Sequence, residues 1–402
     1  MPTKSAEEFL AALADELAIS DTRYDQACRS YESLGDWLHR PESSVRQYDP
    51  QVYVQGSFRL GTAIRPTNEG EEYDVDSVCV LRELDTGDLS QSELKTLVGD
   101  EIKAYRRAKG IQKPVDEGNR CWVLTYADEA QFHMDIVPAI PNSAQQRVLL
   151  EARGFDTRWA DSAIVITDRR LRNYEDVTVD WPRSNPKGYA EWFQERMGSI
   201  FEERRRMLAE TTQASVEEIP TYRVRTPLQS AIMILKRHRD GMFEGRYDDR
   251  PISIIITTLA AHSYEGEAKV ADALYAILSK MDDDDFIEDN GEIRIIRNPS
   301  DPLENFADKW PLHPEREEAF FEWLDQARHD FSQLAKQVER RQLVESVKPR
   351  IGIVASRAAE RMDTPSSMLR PAAAAAGIGA AASSEPAFPN TRREPTSPKG
   401  FA

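Results

Sequence analysis

Residues 55–62 read Gln-Gly-Ser-Phe-Arg-Leu-Gly-Thr and follow the apolar run Val52-Tyr53-Val54. This order predicts a strand that ends at a Gly-Ser turn and continues into a short helix. The free backbone N–H groups at a helix start, together with the Ser57 hydroxyl, suit the terminal phosphates of a nucleoside triphosphate. Gln55, Gly56 and Ser57 are therefore candidate nucleotide-binding residues, although a Gly-Ser pair alone is usually an ordinary turn.

The strand that follows carries two acids. Residues 73–80 read Tyr-Asp-Val-Asp-Ser-Val-Cys-Val, so Asp74 and Asp76 project from one face of a predicted strand. Two carboxylates in an apolar strand repel each other and are costly to bury, and Mg²⁺ relieves that repulsion. The magnesium ligands predicted on this strand are therefore Asp74 and Asp76.

A third acid, Asp135, lies in a later apolar strand, His133-Met134-Asp135-Ile136-Val137. Neighbouring strands that supply three carboxylates form the geometry of a two-metal phosphoryl-transfer centre. Asp135 would also lie close enough to a ribose hydroxyl to favour its deprotonation. An Asp-x-Asp pair alone is more often an edge or loop feature, but the whole set predicts catalysis. His133 is interpreted as a packed or hydrogen-bonded strand residue.

The spacing of apolar residues divides the rest of the chain into helical and strand-like regions. The period is helical in the first forty residues up to Pro41, strand-like with one helix (91–109) up to about 140, and helical again after Asn185. We predict later helices at 189–200, 228–236, 252–264 and, as one long charged segment, 315–345. After about Ser366, the Ala, Gly, Ser and Pro composition predicts a flexible tail of low complexity.

Composition narrows the class of protein. The 402 residues carry a formal net charge of −17, which disfavours a long nucleic acid as partner because such proteins use basic faces to bind phosphates. No stretch approaches the roughly 18–20 apolar residues of a membrane helix, and the N-terminus lacks the apolar segment of a secretory signal. We therefore expect a cytoplasmic protein. Its three scattered cysteines indicate neither a disulfide framework nor a zinc site.

The conjunction of Gly-Ser, Asp-x-Asp and a later strand acid resembles the polymerase-β-like nucleotidyltransferase superfamily. Within it, the chain resembles the bacterial cGAS/DncV-like nucleotidyltransferases (CD-NTases) of CBASS anti-phage systems, relatives of oligoadenylate synthase. The resemblance covers about residues 40–345. Further segments that carry it are Gln55-Gly56-Ser57-Phe58-Arg59-Leu60-Gly61-Thr62, Ser184-Asn185-Pro186-Lys187-Gly188-Tyr189 with Trp192-Phe193, Leu235-Lys236-Arg237-His238-Arg239-Asp240, Pro251 to Thr257, and Asn298-Pro299 to Glu304-Asn305-Phe306.

The resemblance implies an α+β fold with a mixed-sheet nucleotidyltransferase core and an α-helical lobe, as in oligoadenylate synthase. The domains expected are N-terminal helices packing across both lobes (1–40), the nucleotidyltransferase core (41–184), the α-helical domain (185–350) and the flexible tail (366–402).

It also implies roles for single residues. Two Mg²⁺ ions, with Mn²⁺ as a substitute, would be held by Asp74, Asp76 and Asp135, and Gly56 and Ser57 would contact the donor triphosphate. Lys236 would neutralise the outer phosphates, although a solvated helix lysine explains the residue equally well. Ser253 would add a hydroxyl contact, and an N-cap after Pro251 is the alternative.

The implied activity is condensation of ATP and other nucleoside triphosphates into a cyclic di- or trinucleotide, a second messenger for anti-phage signalling. A downstream effector would bind only the product. The resemblance also implies that a ubiquitin-transfer-like partner conjugates the chain through Ala402, with a tail of no function as the alternative.

Three other functions stay open on the sequence. The chain could be a linear oligonucleotide polymerase or tRNA-type nucleotidyltransferase, which would need a basic RNA-binding surface. It could transfer a single nucleotide to a protein or small molecule, although such enzymes are usually shorter. It could also be a nucleotide-binding module without catalysis, which the intact set of three acids disfavours.

Overall fold

The computed structural model describes residues 1–66, 73–126, 132–212, 215–216 and 224–362. The helices are α1 (Lys4–Leu17), α2 (Asp21–Leu38), α3 (Gly56–Arg59), α4 (Gln91–Ala108), α5 (Ser143–Glu151), α6 (Pro186–Thr212), α7 (Pro227–Met242), α8 (Ser253–Ser263), α9 (Val270–Lys280), α10 (Pro314–Leu334), α11 (Arg340–Ile351) and α12 (Ile353–Arg361). None of these helices is long and apolar enough to cross a membrane.

The strands are β1 (Pro50–Val54), β2 (Tyr73–Leu81), β3 (Asp116–Glu117), β4 (Trp122–Tyr126), β5 (Phe132–Pro141), β6 (Ile164–Ile166), β7 (Arg183–Ser184), β8 (Glu288–Asp289), β9 (Arg294–Ile295), β10 (Arg297–Asn298) and β11 (Asp301–Asn305). In the described chain, β1 to β7 form one sheet with the path β1-β2-β5-β4-β3, and β6 joins β5 to β7. Only the β2–β5 pair in it is parallel. The predicted mixed sheet with a helical portion is confirmed.

Strand β2 shows why the acids are where they are. Tyr73 and Val75 point into the core between the sheet and helices α2 and α4, because alternate side chains point to opposite faces. The opposite face begins with Asp74 and Asp76 and continues in Val78 and Val80. Those two valines pack in a small apolar cluster on the second face. The acids therefore lie at the end of a strand that is buried on both sides further along.

Two large hydrophobic cores organise the chain. The sheet core takes in α2, with Tyr31 and Leu34 buried in it. The helical core takes in α1, with Phe9 and Leu13 fully buried, and it runs through α7 to α12. Two helices separated by only three residues thus belong to different cores. The domain boundaries predicted from the sequence stay a prediction.

Helix α7 ties the helical core to the segment after the Gly-Ser turn. Every residue from Pro227 to Arg239 is buried. Gln229 Nε2 donates to the carbonyl of Leu60 at 2.9 Å, and Lys236 Nζ donates to the carbonyl of Thr62 at 3.0 Å. Side chains of one buried helix therefore fix the backbone that carries Gly56 and Ser57.

The single long helix predicted at 315–345 is wrong. The structure has α10 and α11, separated by residues 335–339. The break has a tertiary cause: the Thr3 backbone N–H donates to the carbonyl of Ala335 at 3.0 Å, and the Thr3 hydroxyl donates to the carbonyl of Gln337 at 2.6 Å. Ala335 is the residue at which α10 ends and Gln337 lies in the linker before α11, so the N-terminus holds the segment between the two helices, and nothing in the local sequence indicated these contacts.

Candidate active site

The parallel pairing of β2 with β5 brings the predicted acids together. In this register Asp76 is the partner of Asp135, and Asp74 is the partner of His133. Asp74, His133 and Asp135 each offer a ligand atom within 4.8 Å of one another. The group that can reach one cation in the described structure thus contains His133, which the sequence did not predict as a ligand. His133 Nε2 lies 3.4 Å from Asp74 Oδ1.

Asp76 is turned towards the Gly-Ser turn. Gly56 has a φ of +60°, and a Cβ atom built on it would collide with Oδ2 of Asp76. The backbone N–H of Gln55 donates to the Asp76 carbonyl at 2.8 Å. Glycine is required here both by the left-handed backbone and by the closeness of the carboxylate.

Burial and like charge oppose ionisation of these acids. Burial, followed by the nearby Asp74 and Asp135 carboxylates, raises the pKa of Asp76 to about 7. Burial and Asp74 also raise the pKa of Asp135. Oδ1 of Asp135 is buried and has no hydrogen-bond partner among the residues that the structure describes, and its Oδ2 accepts from Cys121 Sγ at 3.4 Å. An orphaned carboxylate oxygen among repelling acids is the environment that a divalent cation relieves. The residues present therefore fit the metal that the resemblance implies.

A cleft of about 530 Å³ opens beside the acids. Gly56, Ser57, Asp74 and Asp76 line its sheet side, and Lys236 lies on the opposite, helical side. A volume of this size is typical of small-molecule sites. Gln55 and Asp135 are not among the described residues that line it.

Lys236 is not the solvated helix lysine that the sequence left as an alternative. Its side chain is 6% exposed, and its Nζ is held by the Thr62 carbonyl. Burial, followed by the charge of Arg239, lowers the pKa of Lys236 to about 8. A buried ammonium facing a cleft is suited to binding an anion there.

Ser253 also lines the cleft, at the first position of α8. Its hydroxyl accepts a hydrogen bond from Arg239 Nη1 at 2.8 Å. The N-cap alternative is wrong, because Ile252 occupies that position and no side chain of the described residues caps the helix.

Sequence reasoning missed three charged residues of the helical wall, Arg239, Asp240 and Arg250. One signal was available. Residues 236–240 are a charged run inside an otherwise apolar helix. Charges on a fully buried helix must be paired or must face a cavity, so their position indicates a site rather than a solvated surface.

Comparison with known proteins shows which enzymes the chain is similar to. The family model described as Second Messenger Oligonucleotide or Dinucleotide Synthetase domain (SMODS) matches residues 1–162. The chain is 27% identical to the c-di-GMP synthase of Roseivirga ehrenbergii, over 82% of this chain and 80% of that protein. It is 25% identical to the cyclic dinucleotide synthase CdnG of Bradyrhizobium diazoefficiens, over 75% of this chain and 69% of that protein.

Comparison of structures finds proteins of the same kind. The structure of the Bradyrhizobium diazoefficiens CD-NTase CdnG in complex with GTP superposes with a TM-score of 0.66 at 20% identity, covering 88% of this chain and 98% of that one. The α+β nucleotidyltransferase fold expected from the sequence, with a mixed sheet and helices, is confirmed. The chain is an enzyme of the nucleotidyltransferase type, and it is similar in sequence and fold to the cGAS/DncV-like nucleotidyltransferases.

Proposed function

We propose that this nucleotidyltransferase condenses nucleoside triphosphates, GTP among them, into a cyclic dinucleotide. The observation that carries the proposal is the pairing of Asp76 with Asp135 across β2 and β5, next to a cleft whose opposite wall presents Lys236. This arrangement matches a nucleoside triphosphate with bound metal. The carboxylates on one wall would hold the metal ions at its α-phosphate, and the buried ammonium on the other wall would bind its outer phosphates.

The donor nucleotide would lie in the cleft. Asp74 and Asp76 line it and would face the α-phosphate, while Ser57 and Lys236 would bind the outer phosphates. Lys236 is preorganised for this role because the Thr62 carbonyl already holds its Nζ. Preorganised charge of this kind lowers the barrier to phosphoryl transfer.

The acceptor would approach from the side of Asp135, which does not line the donor cleft. Among the described residues none donates a hydrogen bond to its buried Oδ1, which would accept the proton of a ribose hydroxyl. The hydroxyl oxygen attacks the donor α-phosphorus, and pyrophosphate leaves. The same reaction between the two ends of the linear dinucleotide closes the ring.

Two Mg²⁺ ions would be held by Asp74, Asp76 and Asp135, with Mn²⁺ as a substitute. His133 lies near enough to Asp74 and Asp135 to complete one of the sites. When bound, the metal would neutralise the phosphate charge and lower the pKa of the attacking hydroxyl.

The two curated relatives support cyclisation over the alternatives. Both are named as makers of cyclic dinucleotides, and their alignments span most of this chain. The net charge of −17 disfavours an RNA-elongating enzyme, since RNA binding needs a basic surface. We also propose a role in anti-phage signalling through an effector that binds the product, as the resemblance of the sequence to the CD-NTases implies.

The test is a product assay. The purified protein is incubated with Mg²⁺ and labelled ATP, GTP, CTP and UTP, treated with phosphatase, and its products are separated. A product with the mass of a cyclic dinucleotide that contains GMP, that phosphatase leaves unchanged and that is absent with Asp74→Ala/Asp76→Ala supports the proposal. Only linear dinucleotides, which phosphatase converts to forms with a free 5′-hydroxyl, would indicate linear synthesis, and label on added RNA or protein would indicate transfer to that acceptor.

We also propose that a ubiquitin-transfer-like partner conjugates the chain through Ala402. This residue belongs to the segment 363–402, which lies outside the described residues. Intact-mass measurement of the chain from cells that carry its neighbouring genes tests it. An adduct lost in a variant without Ala402 is the expected result, and an unmodified mass in every case contradicts it.

A further inference from the structure

The helical wall of the cleft holds one carboxylate between two guanidinium groups. Oδ1 of Asp240 accepts hydrogen bonds from Nε and Nη2 of Arg239, at 2.9 and 2.6 Å. The same oxygen accepts one from Nη1 of Arg250, at 3.2 Å. All three residues line the cleft, and the proposed function gives none of them a role.

The two arginines differ in what they can still bind. The side chain of Arg239 is 5% exposed, and its remaining nitrogen, Nη1, donates to the carbonyl of Pro251 and to the Ser253 hydroxyl. Arg239 is therefore an anchor for Asp240 and for the start of α8. The side chain of Arg250 is 36% exposed, and its hydrogen bond within the described structure is the one to Asp240. A guanidinium has five N–H donors, so Arg250 keeps donors for a ligand.

The charges of the two walls favour an anion on the helical side. Lys236, Arg239 and Arg250 contribute three positive charges there and Asp240 one negative charge, which leaves two positive charges. Asp74 and Asp76 contribute two negative charges on the sheet side. A triphosphate whose α-phosphate lies at these acids would direct its terminal phosphate towards the helical wall. A planar guanidinium can bind two oxygens of such a phosphate.

We propose that Arg250 binds the γ-phosphate of the donor nucleotide and that Asp240, fixed by Arg239, holds Arg250 at the cleft. Because of this contact the enzyme selects nucleoside triphosphates over diphosphates. The inference rests on the proposed function for the location of the donor. Arg250 is thus a specificity residue of the donor site.

The experiment is a comparison of ligands by isothermal titration. The α,β-methylene analogues of GTP and ATP, which cannot react, and the diphosphates GDP and ADP are titrated into the protein with Mg²⁺. Arg250→Gln should weaken binding of the preferred triphosphate analogue about tenfold or more, since a charge-assisted hydrogen bond is lost. Its affinity for the matching diphosphate should change less than about twofold, because the lost partner is absent from that ligand.

Arg246→Gln is the matched control. Arg246 lies four residues away, is 54% exposed and pairs with Glu322, and it does not line the cleft. This variant removes the same charge and should bind every ligand as the wild type does. Arg250→Lys, which keeps the charge but not the planar fork, should lose only part of the affinity and serves if Arg250→Gln fails to fold.

Two results would overturn the inference: unchanged affinity of Arg250→Gln for the triphosphate analogue, or equal losses for triphosphate and diphosphate. The second result would show that Arg250 only supports the fold of the cleft. These results are independent of turnover. A wild-type protein that binds the analogues but forms no cyclic product would contradict the proposed function alone.

Discussion

Gly56 and Asp76 are in contact across the start of the Gly-Ser turn, where the Asp76 carboxylate occupies the space that a side chain at position 56 would need. Gly56 also has a φ of +60°. The turn and the acid therefore fix each other's positions, and a substitution at either residue should disturb the other.

Gly56→Ala should be more harmful than its backbone strain alone explains. Gly110 provides the matched control, because its φ is +67° and, among the described residues beyond its chain neighbours, no atom lies within 4 Å of the position of an added Cβ. Gly110→Ala should lower the free energy of unfolding by about 1 kcal/mol, the cost of the left-handed backbone. Gly56→Ala should lower it further and reduce product formation at least about tenfold, as measured by urea denaturation and the product assay. Equal effects of the two substitutions on both measurements would contradict this.

Asp135→Asn should abolish synthesis without weakening the fold. The substitution removes a charge that burial and Asp74 disfavour, so mutual repulsion among the acids decreases. We expect product formation to fall at least about 1,000-fold, as for other essential groups of a reacting centre. The melting temperature should stay level or rise. A lower melting temperature would instead assign Asp135 a structural role.

Lys236→Met should weaken binding of the donor nucleotide. The substitution keeps the length of the side chain in a buried position while removing the charge that would face the donor phosphates. Affinity for the triphosphate analogues should fall about 10- to 100-fold, the size of a charge-assisted contact. Lys280→Met is the control, since Lys280 is surface-exposed, pairs with Glu265 and does not line the cleft. Unchanged affinity in Lys236→Met would remove Lys236 from the site.

Asp168 should make stability depend on pH. Hydrogen bonds from Arg170 and then Arg120 hold the pKa of this buried carboxyl well below its usual range. A lowered folded-state pKa adds stability above the unfolded value of about 3.9, and that stability is lost as the pH falls through the folded value. Asp168→Asn should therefore lower the free energy of unfolding by about 2 kcal/mol at pH 7, a discounted value because the arginines are half-exposed.

The difference between wild type and Asp168→Asn should shrink as the pH falls below about 4, in urea denaturation at a series of pH values. Asp161→Asn, which breaks an exposed pair with Arg147, should change stability little at any pH. A constant difference for Asp168→Asn down to pH 3 would contradict the assignment.

The sequence by itself determined the strands that carry the acids and the face on which each acid lies. Strand alternation is a local property, so the spacing of Asp74 and Asp76 placed both carboxylates on one face, and the strand predicted at residues 73–80 lies within β2. The Gly-Ser turn and the helices in the first forty residues could also be predicted, because they too depend on local sequence patterns. The motif set was specific enough to indicate the class of enzyme that the comparisons then supported.

Only the tertiary structure decided which side chains meet. The parallel register of β2 and β5 brought His133 beside Asp74, and no local pattern specifies a register between strands that are some fifty residues apart. The packing of α7 buried Lys236 against the Thr62 carbonyl, and the contact of Thr3 with Ala335 ended a helix that the period alone would have continued. Arg250 came to the cleft through Asp240 and Arg239. The pairings of His133, Lys236 and Thr3 join distant parts of the chain, and periodicity carries no information about such contacts.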